Sequence, residues 1–298
     1  MDLDKWKKFS GKFGHGRTDE LKDVDRAVAQ YQANPSLANL KTLALRVLDW
    51  QASKTDWMRT DSIRAEPMRE LVNLIKQSAR TAWPDVGGRI FNRLHSDLQL
   101  ASLINNPMSW LSANLLSIAG LGDGQRDFFL SVQHPDPTFA QDDIGKGFVM
   151  GIGPLMYRLD EATLWAAKVQ GAMCIKMHTD ISSASNAAAV TNHMVALAGS
   201  VMVTGMVNGC SFLIEDAGGA GALNCTHIKP VGQASEALQN QINGFNLNHT
   251  LVYGQNDYGA ALAATVIGFA KGSWQIFAQL SPRGAPTKVT RVVQLYPQ

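Results

Sequence analysis

Two residues in the second half of the chain could make and break acyl bonds if the fold brings them together. Cys210 follows Asn208-Gly209, and His227 lies beyond a glycine-rich stretch, in TGMVNGCSFLIEDAGGAGALNCTHIKP, residues 204–230. A lone thiol, with a pKa of about 8.5, is mostly protonated at neutral pH; a neighbouring imidazole can hold it as thiolate or take its proton. Thr204 lies six residues upstream of Cys210, where its hydroxyl or main chain could orient the histidine. Asn208-Gly209 is a turn dipeptide that could expose the sulfur, and the main chain of Asn208, Gly209 and Ser211 offers N–H groups to a developing oxyanion.

Whether thiol and imidazole meet is a question of register. CSFLIE and ALNCTHI read as strands flanking DAGGAG, and Gly218-Gly219 supplies the positive φ that a two-residue hairpin loop requires. Counting outward from that pair sets Ala217 against Ala220, Glu215 against Ala222, Phe212 against Cys225, and Cys210 against His227. Opposed residues carry their Cβ atoms about 4.5–5.5 Å apart, within reach of a thiol–imidazole contact. Alternation then puts Phe212, Ile214, Leu223 and Cys225 on the dyad's face, and Ser211, Glu215, Asn224 and Thr226 on the other, with Leu213 the exception. The alternative is that Cys210 is a small buried hydrophobe and His227 a satisfied core histidine. Residue types alone leave both open.

The elements that must hold this hairpin change character along the chain. In DELKDVDRAVAQYQ the apolar residues Leu21, Val24, Val28 and Tyr31 recur at helical spacing. Asn34-Pro35-Ser36 breaks the pattern, and Ser36 is a good N-cap for SLANLKTLALRVLDW, so the two helices should form a hairpin. A third helix is expected after Asp61-Ser62, with Pro67 in its first turn and Met68, Leu71, Leu74 and Ile75 on its apolar face; another is expected over Ser109–Ala119. From about Phe128 glycines multiply and short β-rich runs appear (FFLSV, KGFVMGI, GSVMVTGM, CSFLIE, ALNCTHI, ATVIGFA, WQIFAQ), with a helical pattern persisting in LDEATLWAAKVQGAM. The expectation is an α+β protein: a helical region over 1–125 and a strand-rich domain over 126–298.

Composition narrows the function classes. A 298-residue chain with 45% hydrophobic and 17% charged residues can bury a proper core. A net charge of +2 leaves no electrostatic footprint for nucleic acid, and Lys5, Lys7, Lys8, Lys12 and Arg17 read as a solvated start. The three cysteines lack C-x-x-C spacing, which argues against a disulfide framework or a zinc site, and the remaining residues call for no metal or other cofactor. MDLDKWKKFSGKFGHG has no apolar signal core, and no run is long enough for a membrane span, so synthesis in the cytoplasm is expected.

Read whole, Thr204, Gly209-Cys210, a strand, a glycine-rich turn and His227-Ile228 with Pro230 resemble the Cys-His protein-glutamine deamidases. Val207-Asn208-Gly209-Cys210 is similar to the Leu-Ser-Gly-Cys turn of cytotoxic-necrotising-factor-type toxins and the Burkholderia lethal-factor-type toxins, with Asn208 where that family has serine. The chemotaxis receptor deamidases share the Thr–Cys–His order. Downstream, ATVIGFAKGSWQIFAQ, residues 264–279, looks like the paired closing strands of such effectors, with Lys271-Gly272-Ser273-Trp274 as their turn. The resemblance spans about a third of the chain and implies a β-sandwich-like catalytic domain with Cys210 as nucleophile, His227 as general base and Thr204 as supporting residue. It further implies a secreted, toxin-like effector acting on a protein substrate in a host or competitor cell. Export by a specialised secretion system without a cleaved signal peptide would go with it, as would a cognate chaperone, an immunity protein or a secretion component as partner. Transglutamination is the sister activity. A cysteine peptidase or amidase and a non-catalytic interaction protein are the rival readings.

Other residues carry weaker signals. Cys225 and Cys174 read as core, and His178 and His193 lack a matched metal-ligand partner. GLGDG and GKGFVMGIG lack the context of nucleotide loops. Gln233, Tyr253, Asp257 and Trp274 could line a cleft beside the dyad.

Overall fold

A computed structural model describes residues 3–11, 19–52, 66–86, 89–118, 124–133, 156–161, 169–175, 177–178, 187–219, 221–247, 250–284 and 288–298. The chain is mixed, helices first and sheets after, and divides into two compact units. The first is drawn chiefly from Met1–Gln99; the second comprises Leu100–Ser131, Pro154–Thr163 and Ala167–Gln298, so residues on both sides of the expected 125/126 boundary share it.

The first unit is built on helices α1 (Leu3–Gly11), α2 (Asp19–Ala33), α3 (Leu37–Ala52) and α4 (Glu66–Ala82). The apolar spacing read from the sequence is the buried face: Leu21, Val24 and Val28 of α2 and Met68, Leu71 and Ile75 of α4 share a core with Leu40, Leu43, Val47 and Trp50 of α3. Ser36 caps α3 as expected, its Oγ accepting the Asn39 main-chain N–H at 3.3 Å. Trp6 of α1 is buried and donates its indole N–H to Asp25 at 2.7 Å. Pro67 sits in the first turn of α4, where its missing N–H costs nothing. Asp61-Ser62 lies outside the described residues. Helix α5 (Ile90–Asn105) runs across the division between the units.

After α5, the second unit continues with α6 (Pro107–Ala113) and β1 (Leu115–Ile118). The helix expected over Ser109–Ala119 therefore ends at Ala113. Asn114 leaves the helix in an extended conformation, and the following LLSI pairs in parallel with β3 (Met156–Glu161). The helix read in LDEATLWAAKVQGAM is also corrected at both ends. Its first residues close β3, and its last belong to β4 (Val169–Ile175). Ala172 and Cys174 of β4 alternate into the core, and pairing on both edges of β4 outweighs local helix preference. KGFVMGI lies outside the described residues.

An eight-stranded mixed sheet runs in the order β1, β3, β2 (Gly124–Gln133), β4, β7 (Val201–Thr204), β11 (Leu262–Lys271), β12 (Ser273–Pro282), β13 (Arg291–Tyr296). The strands expected to close the domain are its β11 and β12, paired over their whole length and turning at Gly272, where φ is 75°. A five-stranded sheet is built on the hairpin β8 (Ser211–Asp216) and β9 (Leu223–Ile228). In it β10 (Thr250–Tyr253) flanks β8, and the two-residue strands β5 (Met177–His178) and β6 (Val195–Ala196) both pair with β9.

The two sheets share one core. Phe212, Ile214, Leu223 and Cys225 of the smaller pack with Met202, Val266, Ile276 and Ala278 of the larger. The hairpin's other face, expected to be polar, is buried too. Leu213 and Ile228 pack with Leu238 and Ile242 of helix α8 (Ser235–Asn243), and Ser211 and Thr226 are fully inaccessible there; the short α7 (Ala187–Thr191) adds Val190. The layering is sheet on sheet, with a helix over the smaller sheet. Two connections step from the large sheet to the small one, after Ile175 of β4 and after Thr204 of β7, whose ends pair side by side. The candidate residues stand at those steps.

Candidate active site

The hairpin closes later than counting from Gly218-Gly219 gives. Ala217 donates its N–H to the Ala222 carbonyl at 3.0 Å, and the register that follows sets Phe212 opposite His227, Ile214 opposite Cys225 and Glu215 opposite Asn224. The expected pairing of Cys210 with His227 is thus corrected by two residues. The turn between Ala217 and Ala222 is wider than a two-residue loop, so its centre moves one residue along the chain. A shift of two preserves side-chain parity. Cys210 and His227 remain on one face, related diagonally, with Lys229 continuing the register opposite Cys210. Such diagonal neighbours lie about 7–8 Å apart at their α-carbons, within the span of two side chains that lean together.

Thr204 reaches His227 from the other sheet. Its Oγ1 lies 2.8 Å from Nδ1 of His227 and 3.0 Å from the carbonyl oxygen of Ile175, the residue paired with it across β4 and β7. A carbonyl only accepts, so the single hydroxyl proton goes to Ile175 and the Thr204 oxygen accepts from Nδ1–H. That fixes the neutral tautomer: the lone pair is on Nε2, which is buried and has no hydrogen-bond partner among the described residues. An imidazole held this way presents a free lone pair at Nε2, though burial makes it only weakly basic. Burial first, and then nearby His178, lower its pKa to about 4, so it stays neutral through the physiological range.

The thiol is neutral as well. Burial pushes Cys210 above its ordinary value, opposed more weakly by the Asn208 main chain and the charge of Lys229. The sequence suggested a thiolate held by imidazole; the resting pair is instead thiol and neutral imidazole, because a nearly dry site disfavours both charged forms. Only 3% of Cys210 is exposed and none of His227. Rather than bonding to His227, the thiol lies 3.9 Å from the sulfur of Met177, whose residue is 38% exposed.

The turn before the thiol is locked by a residue that sequence reasoning missed. Tyr258, in helix α9 (Gln255–Tyr258), accepts the Gly209 N–H at 2.8 Å and donates to the Cys210 carbonyl at 3.0 Å. Gly209, at φ 83°, is the left-handed residue that lets the chain turn there. Its N–H is thereby engaged and is not free for an oxyanion in this state. Ser211 takes the parity of Leu213, and its hydroxyl is buried on the helix-covered face without a partner among the described residues. Asn208 keeps its amide oxygen buried and without a hydrogen-bond partner among the described residues. A Cβ on Gly209 would stand 2.8 Å from the Ser235 hydroxyl oxygen. Gly209→Ala should therefore cost about 1–3 kcal/mol from backbone strain alone. Denaturant unfolding of Gly209→Ala with and without Ser235→Gly separates the parts: the second change relieves the contact and leaves the strain.

The remaining expectations divide. Cys225 and Cys174 are buried, as read. His178 and His193 stack with ring centroids 4.3 Å apart, and no group of three metal-ligating side chains occurs among the described residues. Tyr253 is buried, in register with Phe212, and Trp274 lies in the shared core. Asp257 caps its own turn through the Gly254 N–H at 2.8 Å, and Gln233 is exposed. Tyr253 and Trp274 share the core that holds Cys210, and the Tyr253 ring meets that of Tyr258 with centroids 5.9 Å apart. Tyr258 and Met177 carry no local sequence signal, since each arrives from a distant segment. No helix among the described residues is long and apolar enough to cross a membrane. No known protein-family model matches the chain, and no curated protein matches it either.

Proposed function

We propose that this protein is a cysteine-dependent hydrolase of side-chain amides, a protein-glutamine deamidase, with Cys210 as nucleophile, His227 as base and Thr204 as the residue that sets the histidine's tautomer. The observation that carries this reading is the Ile175–Thr204–His227 chain of hydrogen bonds, which leaves a buried, unpartnered Nε2 on the face of a cysteine. A histidine with only a packing role would be expected to have both ring nitrogens satisfied.

In the proposed reaction the Cys210 thiol adds to the amide carbon of a protein glutamine while Nε2 of His227 takes its proton. The imidazolium returns that proton to the departing nitrogen, the C–N bond breaks, and ammonia leaves a thioester on Cys210. Water, deprotonated by His227, then cleaves the thioester to a glutamate carboxylate and regenerates the thiol. An amine in place of water would make the same step a transglutamination. We assign the deamidase domain to the layered β-rich unit, and the wider expectations of a secreted toxin-like effector and its partners belong to this proposal.

The test is mass spectrometry of candidate target-cell lysates for Gln→Glu conversion, with ammonia release, comparing wild type and Cys210→Ala. Conversion that depends on Cys210 supports the reading. Peptide cleavage in its place points to a peptidase, and no Cys210-dependent difference in any lysate rejects it. One observation favours a second reading, a non-catalytic interaction protein: Cys210 is buried with a raised pKa and no bond to His227.

A further inference from the structure

The position of Met177 accounts for the closed thiol. Strand β5 sets Met177 beside His227 on one side of β9, while β8 brings Cys210 up on the other. Neighbouring strands are about 4.8 Å apart, so Cys210 and Met177 stand two strands from each other with His227 between them. Their sulfurs nevertheless lie 3.9 Å apart, the thiol as donor and the thioether as acceptor. The two side chains meet on the face of β9 that carries the His227 ring, whose Nε2 has no hydrogen-bond partner among the described residues.

We infer that the space filled by the Met177 thioether is the substrate side-chain subsite, and that Met177 is a removable internal stand-in for a glutamine. The inference rests on the reading of Cys210 as a nucleophile toward side-chain amides. In methionine the sulfur is the third atom beyond the α-carbon, and in glutamine the third atom is the amide carbon that the thiol must attack. Both side chains are unbranched. Asparagine, one methylene shorter, would leave its amide carbon short of the sulfur when presented from the same backbone distance. Met177 also belongs to a two-residue strand and is the exposed member of the group, so its side chain can swing outward without opening the core. A glutamine entering from solvent displaces it, and the thiol proton that now points at the thioether is released to His227.

Two measurements test this separately from the chemistry. In the first, iodoacetamide labelling of Cys210 is timed in wild type, Met177→Ala and Met177→Leu, with Cys174 and Cys225 as internal standards. Removing the thioether should accelerate Cys210 labelling by about tenfold or more, as expected for a thiol freed from cover, and leucine should largely restore protection. Equal rates in wild type and Met177→Ala, or parallel acceleration of all three cysteines, overturn the subsite. In the second, intact-protein and peptide mass spectrometry follows Met177→Gln alone and combined with Cys210→Ala. Conversion of the introduced amide to a carboxylate only when Cys210 is present supports the subsite and the deamidase reading together. If labelling responds as expected while the introduced amide survives, the subsite stands and the deamidase chemistry falls.

Discussion

Thr204→Val is expected to cost the candidate site about 10²–10⁴-fold in kcat/KM, in the range seen when a catalytic histidine is left in the wrong tautomer. The change keeps the side-chain volume close and removes the oxygen that accepts from Nδ1 of His227. The freed imidazole can then carry its proton on Nε2, presenting a donor to the sulfur in place of a base. Because a buried N–H is also left without a partner, stability should fall by about 1–3 kcal/mol. Thr204→Ser retains the oxygen and should recover most of the rate. That recovery separates a positioning role from a packing one, since serine lacks the methyl group that fills the seam. Equal activity in Thr204→Val and wild type, measured on whatever amide substrate the lysate comparison yields, would remove Thr204 from the mechanism.

Acid should destabilise both units before the carboxylates titrate. His227 in the second unit and His95 in the first are buried, and burial brings each to a folded-state pKa of about 4. In the unfolded chain a histidine titrates near 6.5, so between those values the unfolded state binds a proton that the folded state refuses. Stability is therefore fully present above about pH 6.5 and is lost as the pH falls toward 4, by about 3 kcal/mol per histidine over the interval. Thermal unfolding followed between about pH 7.5 and 4.5 should show this slope, and His95→Gln or His227→Gln should each remove one proton's worth of it. A midpoint that does not move over that range would rule out neutral burial of either ring. The same values shape activity. In the proposed reaction the working pair is thiol and neutral imidazole, so the rate should rise through about pH 4 and persist until the raised Cys210 thiol ionises.

Much of the architecture could be read from local pattern, and the failures have identifiable causes. Helices α2 and α3 were legible because Leu21, Val24 and Val28 repeat on one face and Ser36 caps the next helix. The hairpin was legible in parity and not in register. Alternation of apolar residues determines which side chains share a face, but the offset depends on where the turn closes, and Ala217 bonding Ala222 lies beyond what a glycine pair reveals. Ser211 and Thr226 looked solvent-facing because they are polar. They are buried because α8, made of residues that follow the hairpin, covers them. The Thr204–His227 contact joins two sheets, and neither strand encodes it alone. Met177 and Tyr258 reach Cys210 from 33 and 48 residues away, distances over which no spacing rule operates.

The three buried thiols have a use that does not depend on any reaction. Cys174 belongs to the large sheet, Cys225 to the small one, and Cys210 to the step between them. A buried thiol reacts with a small alkylating agent only during the moments when its surroundings open, so its labelling rate reports the free energy of that opening. The chain thus contains three native probes of how the layered unit comes apart. If the sheets separate before either one unravels, Cys210 and Cys225, which share the core between them, will respond first and Cys174 will follow at the cost of global unfolding. Ordinary denaturant unfolding, which averages over the whole unit, would not distinguish that sequence of events.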